Sequence, residues 1–328
     1  MRPGLRLLLA ALCAGVAPSS AGAGQHVAVT LLSESASVQA GRPFTVGLRM
    51  KMSRGWHVYW KNPGDSGLPP RVAWSLPPGF TAGPIQWAAP ERIPANTLVS
   101  YGYTGEVLLP VEIMPPERLD LDSVRIAGRL EWLECADVCV PGSTSLSLSL
   151  PVRAKPPSPG RDARAFADAR SRMPAPAAGW TSAAEAGPRA VSLRFRAPVG
   201  VFPRGAYLFV DEPLVVDYAA PQGFERVGDG YRITVPPAAN APGTLERLTG
   251  VLVVEGRSGP GAGTAVRVDV PVTRGVPSPA PSQPARPRSL TAQRLIVAAL
   301  ACLGLVLLVL RLVRAGGGNT PPPRESNA

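Results

Sequence analysis

Hydrophobic positions recur with a period of two through residues 26–152. Val27, Val29 and Leu31 alternate with smaller or more polar residues, as do Phe44, Val46, Leu48, Met50 and Met52. Trp56, Val58 and Trp60 share one side; so do Val72, Trp74 and Leu76, and then Val107, Leu109, Val111 and Ile113. Ile126, Leu130 and Trp132 precede a polar break, and Leu146, Leu148, Leu150 and Val152 follow it. A period of two places alternate side chains on one face of a strand. Turn sequences such as Asn62-Pro63-Gly64-Asp65-Ser66-Gly67 separate the runs, so residues 24–153 are predicted to form an antiparallel β-sandwich. His57 falls between the tryptophans and is expected on the solvent-facing side.

Residues 154–188 read as a Pro/Ala-rich connection with one short helix around Asp162–Arg172. Strand patterns return over 189–274: Val191, Leu193 and Phe195, then Tyr207–Val210, Leu214–Val216, Tyr231–Val235, Val251–Val254 and Val266–Val270. They predict a second, smaller β-sandwich. It has no cysteine or histidine, so it is expected to be a spacer or docking module.

Two apolar runs do not alternate. Arg2 and Arg6 precede Leu7–Val16, and Ala21-Gly22-Ala23 is a small-residue cleavage site, so residues 1–23 read as a secretory signal. Cys13 follows Leu12 rather than a small residue, which argues against lipid attachment. Behind a Pro-rich linker at 275–293, Leu295–Leu310 is uninterrupted and flanked by Arg294 and Arg311. Sixteen residues of helix span ~24 Å, and snorkelling arginines extend that toward a ~30 Å bilayer core. A transmembrane helix over 294–314 and a cytosolic tail over 315–328 are expected, which holds the chain to the bacterial inner membrane with its bulk in the periplasm.

Composition narrows the class. The 39 prolines and 34 glycines follow no G-X-Y period, which excludes collagen and disfavours a helical bundle. The net charge of +11 suggests nucleic acid until it is located. The segments before residue 24 and from Arg286 onward hold 8 basic residues and 1 acidic one, leaving 26 against 22 between them. Excess charge at membrane-directed ends is a targeting feature, and no nucleic-acid partner is expected.

Of the four cysteines, Cys13 leaves with the signal and Cys302 lies in the apolar run. Cys135 and Cys139 remain, in a compartment where they can be oxidised. In a continuous strand their Cα atoms would stand ~13 Å apart, whereas a disulfide needs roughly 4.4–6.8 Å. They can bond only if the chain turns between them. Strand patterns that run to Leu133 and resume near Ser145 supply the turn. Such a pair is either a structural staple or a working redox bond. Cross-links across small loops stabilise little, which favours the redox reading. Glu134 and Asp137 flank the pair, and neighbouring negative charge disfavours a thiolate. With no lysine or histidine within five residues, the thiol is expected to be sluggish until a partner docks.

A longer string carries a resemblance: Gly55-Trp56-His57-Val58-Tyr59-Trp60-Lys61-Asn62-Pro63-Gly64-Asp65-Ser66-Gly67-Leu68-Pro69, Pro84-Ile85-Gln86-Trp87, Tyr101-Gly102-Tyr103, and Trp132-Leu133-x-Cys135-x3-Cys139-x-Pro141. It resembles the N-terminal ectodomain of DsbD/ScsB-type transmembrane thiol–disulfide reductases over about 26–152. The second sandwich is similar to the second ectodomain module of the ScsB-like branch, for example at Asp217-Tyr218-Ala219-Ala220-Pro221-Gln222. The resemblance implies an immunoglobulin-like domain and a protein-disulfide reductase type of activity. With the second sandwich, two immunoglobulin-like domains are expected. Two thiolates alone are too few ligands for a metal site, so no cofactor or metal is expected. It implies that Cys139 forms the mixed disulfide with a partner and that Cys135 resolves it. A cap aromatic maps to Tyr101, with Tyr103 beside it. The spacing between the cysteines is shorter than in DsbD. The single apolar run carries no internal cysteine pair, so the membrane electron donor is expected in trans. The recipient is expected to be a periplasmic thioredoxin-like or disulfide-isomerase-type protein.

Two other classes remain from the residues. Cys-x3-Cys-x-Pro also resembles the copper-binding segment of cytochrome-oxidase assembly factors, and two soft thiolates suit Cu(I). Those proteins add a later histidine and a βαβ pattern, which this chain lacks. Alternatively, the aromatic strand around Trp56 and Trp60 could serve a non-catalytic binding scaffold, although their alternation with Val58 favours the core.

Overall fold

The computed structural model describes residues 26–241, 243–256 and 264–274. The expected signal, linker, membrane helix and tail lie outside these residues. Among the described residues, no helix is long and apolar enough to cross a membrane.

The first domain runs β1 (Val27–Ser33), β2 (Phe44–Met52), β3 (His57–Gly64), β4 (Arg71–Ser75), β5 (Thr81–Ile85), β6 (Glu91–Ala95), β7 (Leu98–Thr104), β8 (Glu106–Met114), β9 (Ser123–Cys135) and β10 (Cys139–Pro151). One sheet has the order β1-β2-β8-β5. The other runs β10-β9-β3-β7-β6, with β4 also pairing β9. The inward positions read from the alternation, among them Val46, Leu48, Val58, Leu109, Ile126 and Leu130, form one buried core between the sheets. The expected sandwich is present, with β5, β6 and β7 added to it.

α1 (Ala163–Ser171) lies where the sequence placed a helix. It buries Phe166 against Leu32 and Leu108, so it packs on the first domain. The rest of the expected connection is more ordered than its composition suggests. β11 (Thr181–Ala186) pairs β12 (Val191–Arg196), which moves the start of the second domain before residue 189. The strands β13 (Pro203–Val210), β14 (Gly223–Val227), β15 (Gly230–Val235), β16 (Arg247–Gly256) and β17 (Thr264–Arg274) follow. They form one path, β13-β16-β17-β11-β12-β15-β14, and not two separate sheets. β17 pairs β16 along its first part and β11, in parallel, at its end. β13 and β15, far apart in that order, touch, so the sheet curls over its own core. Leu214–Val216, expected as a strand, is a turn with an isolated bridge at Val216.

Candidate functional site

The β9/β10 hairpin ends in a three-residue loop, Ala136–Val138, closed by Ala136 N–H donating to Val138 O at 3.0 Å. Cys135 and Cys139 are the last opposed pair, with Cα atoms 4.1 Å apart and their sulfurs bonded. Directly opposed residues of an antiparallel pair point to the same face, which brings the two sulfurs together. Pairing does not lapse after the cysteines. Val140 opposes Glu134, Pro141 opposes Leu133, and the ladder continues to Pro151. Pro141 is tolerated because β10 is the edge strand and lacks an outer neighbour needing its N–H.

Strand position makes the two sulfurs unequal. Cys135 sits between β10 and β3 and is 1% exposed. Cys139, on the edge strand, is exposed. The asymmetry therefore comes from central against edge position, not from missing pairing after Cys139.

β3 supplies the rest of the site. His57 opposes Cys135 on one side and Thr104 on the other, so Cys139, Cys135, His57 and Thr104 form a row across four strands. The expectation that His57 faces solvent fails: it is 7% exposed. Its ring meets Tyr59 edge-on at 5.2 Å, and its Nε2 has no hydrogen-bond partner. Burial disfavours the imidazolium and lowers its pKa, which leaves a neutral ring. Tyr59, two residues on and on the same face, donates its hydroxyl to Cys135 Sγ at 2.7 Å and stands 3.6 Å from Cys139 Sγ. Burial pushes its phenol pKa up, against hydrogen bonds with Ser100 and Ser66, so it is a proton donor at neutral pH.

The turn after β3 closes over this tyrosine. Gly67 adopts φ +111°, and a Cβ there would lie 2.1 Å from Tyr59 Cε1. Glycine at this position lets backbone lie directly on the ring.

The residues expected around the pair are distributed differently. Asp137 is exposed in the hairpin loop. Glu134 is 0% exposed and points to the opposite face from Cys135, as the strand period dictates. Its carboxylate accepts from Trp132 Nε1 at 2.9 Å and from His26 N at 2.7 Å. It therefore ties β9 to the start of β1 instead of lying beside the sulfurs. Tyr101 and Tyr103 lie on β7 and face the interior. Tyr103 is buried and donates to Ala88 O at 2.8 Å. Tyr101 is 0% exposed and packs on Phe209 of the second domain at 4.8 Å. Neither covers the disulfide; the aromatic that touches it is Tyr59. Trp60 is likewise buried, between Tyr101 and Phe209, and Trp56 stacks on His26 at 3.7 Å. The aromatic strand therefore offers no open platform for a ligand. Among the described residues, no three of His, Cys, Asp and Glu converge as a metal site.

A β-sandwich whose hairpin tip holds a disulfide, one sulfur open and the other backed by a phenol, has the build of a thiol–disulfide exchange domain. Residues 28–151 match the family described as thiol:disulfide interchange protein DsbD, N-terminal. The N-terminal periplasmic domain of ScsB from Proteus mirabilis has a similar structure, with TM-score 0.58 and 19% identity, covering 77% of this chain and 95% of that one. A protein of unknown function from Porphyromonas gingivalis W83 matches with TM-score 0.22 and 11% identity, covering 75% of this chain and 100% of that one. No curated protein matches the chain. The ScsB likeness extends the shared fold across both domains of the chain.

Proposed function

We propose that the chain is a membrane-tethered periplasmic module that relays reducing equivalents from a membrane electron donor, supplied in trans, to periplasmic thioredoxin-like or disulfide-isomerase-type proteins. The carrying observation is the unequal pair: an exposed Cys139 bonded to a buried Cys135. In the reduced module, the Cys139 thiolate attacks a partner disulfide. A mixed disulfide forms, and the partner's other sulfur leaves as a thiolate. The Cys135 thiolate then attacks Cys139 Sγ, releasing the second partner sulfur and restoring the Cys135–Cys139 bond. Two electrons pass to the partner, and a donor dithiol returns them by the reverse exchange. Access to the attacked sulfur governs such exchange, which assigns the intermolecular step to Cys139 and resolution to Cys135.

The test is trapping in cells. Cys135→Ala should accumulate a long-lived mixed disulfide through Cys139, and Cys139→Ala should trap weakly. Equal trapping by both variants would remove the assignment of roles. No trapping by either, with tight Cu(I) retention by the unmodified pair, would favour copper handling instead. A reporter fused after Ala315 should be cytosolic, and release of the intact chain by carbonate would overturn the tether.

A further inference from the structure

The second sandwich meets the first at the turn that covers Tyr59. Asn62, the sixth residue of β3, is 0% exposed, and a buried amide must satisfy its polar atoms. It does so largely in the second domain. Its Nδ2 donates to Val210 O at 2.8 Å and to Glu212 O at 3.4 Å. Its Oδ1 accepts from Tyr218 Oη at 3.3 Å and from Gly64 N, in its own turn, at 3.1 Å. All four hydrogen-bonding positions of the amide are filled. Tyr218 Oη in turn accepts from Leu214 N at 2.9 Å. Around this centre, Tyr101 Oη meets Tyr207 Oη at 3.1 Å, and Lys61 Nζ pairs with Asp211 at 2.7 Å.

The contacts continue to the sulfur. From Asn62 the chain turns through Gly64, with φ +86°, and Asp65, whose N–H and carboxylate both bond Val99. It then lays Gly67 on the Tyr59 ring, and the Tyr59 hydroxyl touches Cys135 Sγ. The start of the cover is thus held by one domain and its end rests on the redox site of the other.

We propose that the second sandwich is a brace for the redox site: by holding Asn62 it fixes the Gly64–Leu68 cover over Tyr59 and so sets how readily the Cys135 sulfur is reached. Asn62 is a positioning residue in this scheme. The proposal builds on Cys135 being the shielded thiol, and its test needs neither donor nor recipient.

The experiment uses the reduced full chain with Cys139→Ala, following alkylation of Cys135 by iodoacetamide. Asn62→Ala should speed alkylation about tenfold; a tenfold change corresponds to about 1.4 kcal/mol, the size of one buried hydrogen bond. Tyr218→Phe removes one hydroxyl from the same cluster and should give a smaller increase. Lys61→Ala breaks a cross-domain contact that does not hold the turn, and should leave the rate unchanged. Cys139, measured with Cys135→Ala, should react equally fast with and without Asn62→Ala. An unchanged Cys135 rate in both Asn62→Ala and Tyr218→Phe would overturn the brace. Equal acceleration of Cys135 and Cys139 would overturn it too, as general loosening. Failure of partner trapping would count against the relay and leave these rates interpretable.

Discussion

Tyr59→Phe keeps the ring beneath Gly67 and removes only the hydroxyl that reaches Cys135 Sγ at 2.7 Å. In the reduced protein that hydroxyl is expected to favour the thiolate over the thiol. A hydrogen bond to a charged group contributes ~1.5–3 kcal/mol, against ~0.5–1.5 kcal/mol for a neutral pair. The difference, about 1–1.5 kcal/mol, corresponds to about one pKa unit. The variant should therefore raise the Cys135 thiol pKa by about one unit and cut its thiolate fraction roughly tenfold near neutrality. A more basic thiolate is a better nucleophile, by roughly threefold per unit at a Brønsted coefficient of ~0.5. Resolution of a mixed disulfide should then slow by about threefold. The assay is the pH dependence of Cys135 alkylation in the Cys139→Ala background, with and without the tyrosine hydroxyl. The plateau rate at high pH reports access, and the midpoint reports pKa. An unchanged or lowered midpoint would refute the assignment of Tyr59 as the thiolate's donor.

Three further outcomes follow from the geometry. Gly67→Ala drives a Cβ into the Tyr59 ring at a backbone angle that L side chains avoid, so it should cost about 1–3 kcal/mol in urea unfolding and raise Cys135 alkylation. His57 is neutral when folded and its pKa is depressed by burial, so the unfolded chain binds the extra proton. Stability should therefore fall as pH drops below about 6.5, by at most ~1.4 kcal/mol per pH unit, and His57→Gln should remove that slope in urea titrations at pH 7, 6 and 5. The double variant Cys135→Ala, Cys139→Ala should stay folded by circular dichroism, losing about 2 kcal/mol for so short a loop; collapse would return the pair to a structural role.

The sequence pattern was most informative where one face of a strand is dry and the other wet. β9 and β10 alternate because of that contrast, and their inward residues are part of the observed core, whereas on β1 and β8 the helix α1 also covers Leu32 and Leu108 on the other face. β5 (Thr-Ala-Gly-Pro-Ile) and β6 (Glu-Arg-Ile-Pro-Ala) carry proline and little apolar surface, so their pairing is set by neighbours and leaves no local trace. β11, Thr-Ser-Ala-Ala-Glu-Ala, has weak strand propensity and is recruited by β12 and β17. The cysteine hairpin was legible because chain reach permits only one geometry. Its surroundings were not. Period two assigned His57 to the wet side and gave Tyr59 no part in the site, and only the fold shows that the turn after β3 lies on Tyr59 and that both side chains are buried. Tyr101 was placed over the disulfide by resemblance, but its burial answers to aromatic residues more than a hundred positions away.

β3 leaves little room for change. Its odd positions, His57 and Tyr59, belong to the disulfide; its even positions, Val58, Trp60 and Asn62, belong to the core and the domain seam. Side chains alternate strictly, so gaining or losing one residue between Gly55 and Tyr59 would exchange the two sets in a single step. A phenol would be thrust into the seam, and an indole would be set against the sulfur. Chemistry and architecture would fail together, which makes this strand the place where insertions should be least tolerated. The Ala136–Val138 loop at the hairpin tip, with Asp137 and Val138 open to solvent, is free of that double constraint.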